Sequence, residues 1–126
     1  PRAQEILSAL TVAPIFSVQN RCNVLDKKSF KNGVADLCAQ EGIVFIPHSP
    51  VGGHRDHGKL AAHTQIKKIA DAHGVSSYQI ALAWFLHKGE HILPIPGASK
   101  ISSITDSLQA MHVSLTHEEM TLLDNL

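Results

Sequence analysis

Ile92-Leu93-Pro94-Ile95-Pro96-Gly97-Ala98-Ser99-Lys100 carries an apolar run into a Pro-Gly turn, then into small, hydroxyl and basic residues, just before a helical pattern begins. A strand that ends this way brings backbone N–H groups, a hydroxyl and a positive charge to one point. The helix N-terminus that follows adds unpaired N–H groups and a dipole that favour an anion. A phosphate site can be built so. The same residues also suit an ordinary strand-to-helix turn, and this stretch alone leaves both readings open.

Working outward, the chain alternates between helix and strand signals. Arg2 to Leu10 has apolar residues at Ile6, Leu7 and Leu10, which suits the tail of a helix. Pro14 to Asn20 reads as a short strand, and Lys27 to Glu41 as one helix with Phe30, Val34, Leu37 and Cys38 on its apolar stripe and Gly42 as its cap. Ile43-Val44-Phe45-Ile46 is a continuous run of strand length, a pattern that fits burial on both faces. A Gly- and His-rich loop is expected from His48 to about Gly58. Helices follow over Thr64–His73 and from a Ser76/Gln79 capping box through Leu86. Ile92–Ile95 is the third strand, Ile101–Ala110 a short helix, and Thr116/Glu119 a second capping box that opens the last helix. Such alternation predicts an α/β fold with a parallel sheet covered by helices. Three strands are few for such a sheet, so both edges are expected to be open.

Composition narrows the function classes. The 126 residues suffice for one domain with a core, at 44% apolar and 17% charged content. Lys+Arg and Asp+Glu number 11 each, so no basic surface for nucleic acid is implied. No apolar run is long enough to span a bilayer. Cys22 and Cys38 form neither a disulfide framework nor a Cys-x-x-Cys site, which fits reduced thiols in a cytoplasmic protein. His54-Arg55-Asp56-His57, with His63 nearby, offers metal-ligand types. Loop flexibility and the Arg55 charge argue against a metal, and none is expected.

Val18-Gln19 at a strand end, His48-Ser49-Pro50-Val51-Gly52-Gly53 after the next strand, Gln79 to Leu86, Ile95 to Ser99 and Leu115-Thr116 occur in an order and spacing that resembles the C-terminal half of an aldo/keto reductase. The resemblance covers essentially the whole chain. It implies part of a TIM (β/α)8 barrel, with residues 1–126 supplying strands six to eight and their helices, and the N-terminal half absent. It implies NADPH as cofactor and an aldehyde or ketone as substrate of the complete enzyme. Barrels of this kind often hold phosphate at the loops after strands seven and eight.

The same resemblance assigns cofactor roles. Gln19 corresponds to a glutamine that binds the nicotinamide carboxamide, since an amide can both donate and accept. His48 stands where an aromatic ring often stacks on nicotinamide; stacking and capping of the strand by hydrogen bonding are both open to it. Ser49, Pro50, Val51 and Gly52 match the pyrophosphate-side loop. Gly97, Ala98, Ser99 and Lys100 match the adenosine-phosphate end, with Lys100 on the 2′-phosphate. Ser103 replaces the usual Arg, His or Gln, and Asp106-Ser107 replaces a usual Glu-Asn that faces adenine.

The family's Tyr, Lys, Asp and His catalytic set comes from the first half of the barrel and has no counterpart here. The only tyrosine, Tyr78, opens a helix and is not its equivalent. The expected function is therefore the cofactor cleft of an NADP-dependent oxidoreductase, with the N-terminal half required and the isolated chain inactive. The other class is a non-catalytic nucleotide-binding or redox-sensing subunit.

Overall fold

A computed structural model describes residues 1–126. The elements run α1 (Ala3–Leu10), β1 (Ser17–Arg21), α2 (Lys28–Lys31), α3 (Val34–Gln40), β2 (Val44–His48), α4 (Gly53–Ala62), α5 (Thr64–His73), α6 (Ser77–Lys88), α7 (Ile101–Gln109), a 3₁₀ turn (Ala110–His112) and α8 (His117–Asp124). No helix is long and apolar enough to cross a membrane.

β1 and β2 pair in parallel, with Ser17 opposite Val44 and Arg21 opposite His48. The expected third strand is present only as two parallel bridges, Phe45 with Ile92 and His48 with Ile95. Its hydrogen bonds to β2 are sparse because Pro47 of β2 has no N–H to give it. Leu93 N still donates to Phe45 O at 2.9 Å, and Phe45 N to His91 O at 2.8 Å, so the segment lies on β2 in register.

Three expectations need correction. Lys27–Glu41 is two helices, broken at Asn32-Gly33, where Gly33 adopts φ 81°. The Gly- and His-rich stretch is helical from Gly53 on, as α4, whose only buried residue is Leu60. The run Ile43–Ile46 is not buried on both faces. Ile43 and Phe45 are buried, but Val44 and Ile46 are only half-buried, because no element covers that face of the sheet.

The other face carries the core. Trp84, Phe85 and Phe45 are fully buried, and Phe30 meets Trp84 edge-on at 5.3 Å. Trp84 Nε1 donates to Asp124 Oδ1 at 2.8 Å, which ties α6 to α8. α6 is buried from Gln79 through Phe85 because it packs against α4, α5, α7 and α8. Full burial of one such aromatic side chain contributes roughly 1.5–3 kcal/mol. Gly42 closes α3 with φ 67°, and Ile43 N reaches back to Cys38 O at 2.8 Å. Gly74 closes α5 in the same way, at φ 66°.

α7 differs from the rest, with no buried residue. Ile104, Leu108 and Met111 line one wall of an apolar groove of about 310 Å³, and Leu82, Leu86 and Leu93 line the other.

Candidate cofactor-binding site

The C-terminal ends of the three strand segments lie side by side, since Arg21 pairs with His48 and His48 with Ile95. The loops leaving these ends form an open groove of about 740 Å³, bordered by Val51, Gly53, His54, His57 and Gly58 on one side and Gly97, Ala98, Ser99 and Ser103 on the other. A second basin of about 360 Å³ shares Val51, His57, Gly97 and Ser103 and adds Ser76, Tyr78, Ser102, Asp106 and Ser107. Val51, Gly97, Ala98, Ser99, Ser103, Asp106 and Ser107 therefore come together, although 56 positions separate the first from the last.

The loop Ser49–Gly52 is tightly wound. Ser49 holds φ 54°, the one positive value outside glycine, and Gly52 N closes the turn on Ser49 O at 2.9 Å. Gly52 stands at φ 93°, and a Cβ there would lie 2.5 Å from the carbonyl carbon of Asp56. Only glycine fits, so the backbone can run close to the helix it opens. Gly97 is different. Its φ lies outside the left-handed region and a Cβ would meet nothing within 4 Å, so its missing side chain leaves space rather than conformation.

Two residues beyond the predicted set fix this loop. Arg21 Nη2 donates to Gly52 O at 3.3 Å and pairs with Asp56, while its Nε lies 3.5 Å from Asp26 Oδ2. Asn23, 1% exposed, donates from Nδ2 to Ser49 O at 3.4 Å and accepts from Leu25 N at 2.9 Å. The hydrogen bond from Lys59, together with that from Arg21, holds the Asp56 carboxyl below its usual range. No local pattern marks the contacts of Arg21 with Gly52 and Asp56 or of Asn23 with Ser49, because those partners are 26 to 35 residues away.

Lys100 is the N-cap of α7. It is exposed, and no side chain caps the helix there. It does not border the groove, although Ser99 does. Asp106 points both carboxylate oxygens at α6, accepting from Ser76 Oγ at 2.8 Å and from Gln79 Nε2 at 2.7 Å. The expected Ser76/Gln79 box is thus half formed. Ser76 Oγ accepts from Gln79 N at 3.1 Å, but the Gln79 side chain turns to Asp106 instead. The Thr116/Glu119 box is complete.

His48 is half-buried, and its Nδ1 lies 3.3 Å from Ser49 Oγ. Pro50 is buried beneath the loop. Gln19 is exposed and sits two residues below the rim, beside Pro1, Glu5 and Ile15, so it does not join the groove. The four-residue cluster His54–His57 does not converge on a point. Asp56 faces Arg21 and Lys59, and His57 stacks on Tyr78 with ring centroids 4.1 Å apart. His87 spans two backbones, with Nδ1 2.8 Å from Ala83 O and Nε2 accepting from Leu115 N at 3.3 Å, a structural role.

The family model of the aldo/keto reductase family matches residues 2–126. An uncharacterised oxidoreductase of Schizosaccharomyces pombe is 35% identical over 95% of this chain and 38% of its own length. Pyridoxine 4-dehydrogenase of Escherichia coli is 30% identical over 97% of this chain and 41% of its own. A thermostable aldo-keto reductase, Tm1743, solved with the inhibitor epalrestat, superposes with a TM-score of 0.88 at 28% identity, covering 99% of this chain and 45% of that one. An aldo/keto reductase from Klebsiella pneumoniae, solved with NADP and acetate, shares the fold with a TM-score of 0.87 at 22% identity, over 99% and 45%. This chain belongs to the aldo/keto reductase family. It spans about two-fifths of the length of the curated relatives it matches, and its fold is a partial (β/α)8 barrel with parallel strands.

Proposed function

We propose that residues 1–126 are the C-terminal half of an aldo/keto reductase barrel and provide most of its NADPH cleft, in an enzyme that reduces an aldehyde or ketone in the cytoplasm. The observation that carries this reading is the groove where the Ser49–Gly52 loop meets Gly97–Ser103. Its features suit a dinucleotide phosphate. Gly52 lets one backbone wall approach closely, and the facing helix α7 begins with no side chain on its N–H groups. The Klebsiella reductase solved with NADP supports the same cofactor class.

NADPH, when bound, supplies the hydride. The chain's own residues do the rest of the work assigned to this half. Val51 and Gly52 line the pyrophosphate, Ser99 and Lys100 supply a hydroxyl and a charge for the 2′-phosphate, and Gln19 and His48 face the nicotinamide end. In this reading Gln19 reaches that end only once the neighbouring part of the barrel completes the wall. The same missing part would cover the apolar groove of α7 and the half-buried Val44 and Ile46, so it is the required partner. The buried Cys22 thiol, pushed up to about 12 by burial with a smaller contribution from Asp26, is inert and fits a reducing compartment.

The test is a fluorescence titration of NADPH and NADH into the complete polypeptide. NADPH should bind more tightly, and Lys100→Ala should remove that preference. Equal losses for the two cofactors would place the 2′-phosphate elsewhere. The purified 126-residue chain should show no NADPH-dependent turnover on a broad aldehyde panel; turnover would overturn the assignment of catalysis to the other half.

A further inference from the structure

The geometry points to His57 and Tyr78 as the platform on which the adenine ring of the cofactor stacks. This rests on the NADPH reading above and deepens it. The residues expected at adenine have little left to hold its edge. Asp106 has committed both oxygens to Ser76 and Gln79. Ser103 and Ser107 are short hydroxyls, without the planar or long groups that could cover a base. What the same basin does contain is an aromatic stack. The His57 and Tyr78 rings lie 4.1 Å apart and only 10° from parallel, and both border it.

His57 is held for this role. Its Nδ1 lies 3.1 Å from Val51 O, which can only accept, so Nδ1 carries the hydrogen and the ring orientation is fixed to the loop. One face of the imidazole is covered by Tyr78. His57 is exposed on α4, which leaves the opposite face for a ligand. It borders both basins, so it stands between the phosphate wall at Gly97–Ser99 and the pocket at Ser103–Ser107. A purine added there becomes the third ring of a stack, which needs no edge hydrogen bonds and tolerates the serine substitutions. Tyr78 has its own anchor, because it packs against the core from the first turn of α6.

The complete polypeptide provides the test, with 2′,5′-ADP as the probe because it carries the adenine and the 2′-phosphate but no nicotinamide. His57→Ala should weaken 2′,5′-ADP by on the order of tenfold or more, and should weaken NADPH and NADH by the same factor. His57→Phe should restore binding, which a purely structural role of the Nδ1 contact would not allow. Tyr78→Ala should act in the same direction and Tyr78→Phe should not, with circular dichroism confirming the fold. If the wild type binds NADPH and Lys100→Ala abolishes the preference over NADH, yet His57→Ala binds 2′,5′-ADP as the wild type does, the platform is wrong and the cofactor reading stands. If the wild type binds neither NADPH nor 2′,5′-ADP, both fall together.

Discussion

Arg21, the last residue of β1, reaches past the end of β2 to pair with Asp56 in the first turn of α4. One guanidinium thereby joins a strand end, the Gly52 carbonyl and a helix across a loop that has little core of its own. Both side chains are partly shielded, at 29% and 19% exposure.

Arg21→Ala should therefore loosen α4 more than it destabilises the whole chain. The expected loss of global stability is on the order of 1 kcal/mol, while amides at the start of α4 should exchange much faster with deuterium. Hydrogen exchange read by mass spectrometry checks this. Uniform acceleration across α6 as well would mean that the pair supports the core, not the loop.

The pH dependence of this tie has a definite sign. Asp56 titrates lower in the folded chain than its ordinary 3.8, so the tie contributes fully above that value. It is lost as pH falls through the depressed folded value. Protection of α4 should be flat from neutral pH down to the ordinary carboxylate range and then drop. Asp56→Asn should have reduced protection already at neutral pH, show no such step, and meet the wild type at low pH.

Two glycines of the groove should behave oppositely. Gly52→Ala places a methyl 2.5 Å from backbone at φ 93° and should cost about 1–3 kcal/mol by urea denaturation. Gly97→Ala meets open space at an ordinary φ and should leave stability unchanged within about 0.5 kcal/mol. In the complete protein the new methyl stands in the groove, so cofactor affinity should fall without any loss of stability.

Asp106 serves as a brace between α6 and α7. Asp106→Ala would strip a partner from the buried Gln79 amide, whose Oε1 already has none. The expected cost is about 1–3 kcal/mol. Asp106→Asn keeps the shape and should recover part of it; equal losses in the two variants would show that charge, not geometry, braces the helices.

Much of this architecture can be read from residue order, and the exceptions have physical causes. α5 and α6 announce themselves because Ile66, Ile69 and Ala70 recur at helical spacing and Ser76 caps the next helix. α4 does not, because a helix with one buried residue has no apolar period to detect, and its glycines and histidines look like loop. The break at Gly33 is hidden because the apolar stripe continues in phase on both sides. In the site, the loop residues are legible as motifs that end strands. Their supports are not: Arg21 with Asp56 and His57 with Tyr78 are side-chain meetings between segments far apart in sequence, which only the packed fold brings together.

The prolines of the third strand make the two sides of this sheet unequal. Leu93 and Ile95 turn their N–H groups inward to β2, so residues 94 and 96 are the ones that would present donors outward, and both are proline. That border offers no donors at 94 and 96, so a strand laid along it, the next strand of the complete barrel included, has only carbonyls to pair with there. The free side of β1 has no such guard, and Phe16, 84% exposed, stands at its entrance. The two borders of the sheet are thus unequal templates, and strand addition by a second copy should favour β1, whose donors are intact.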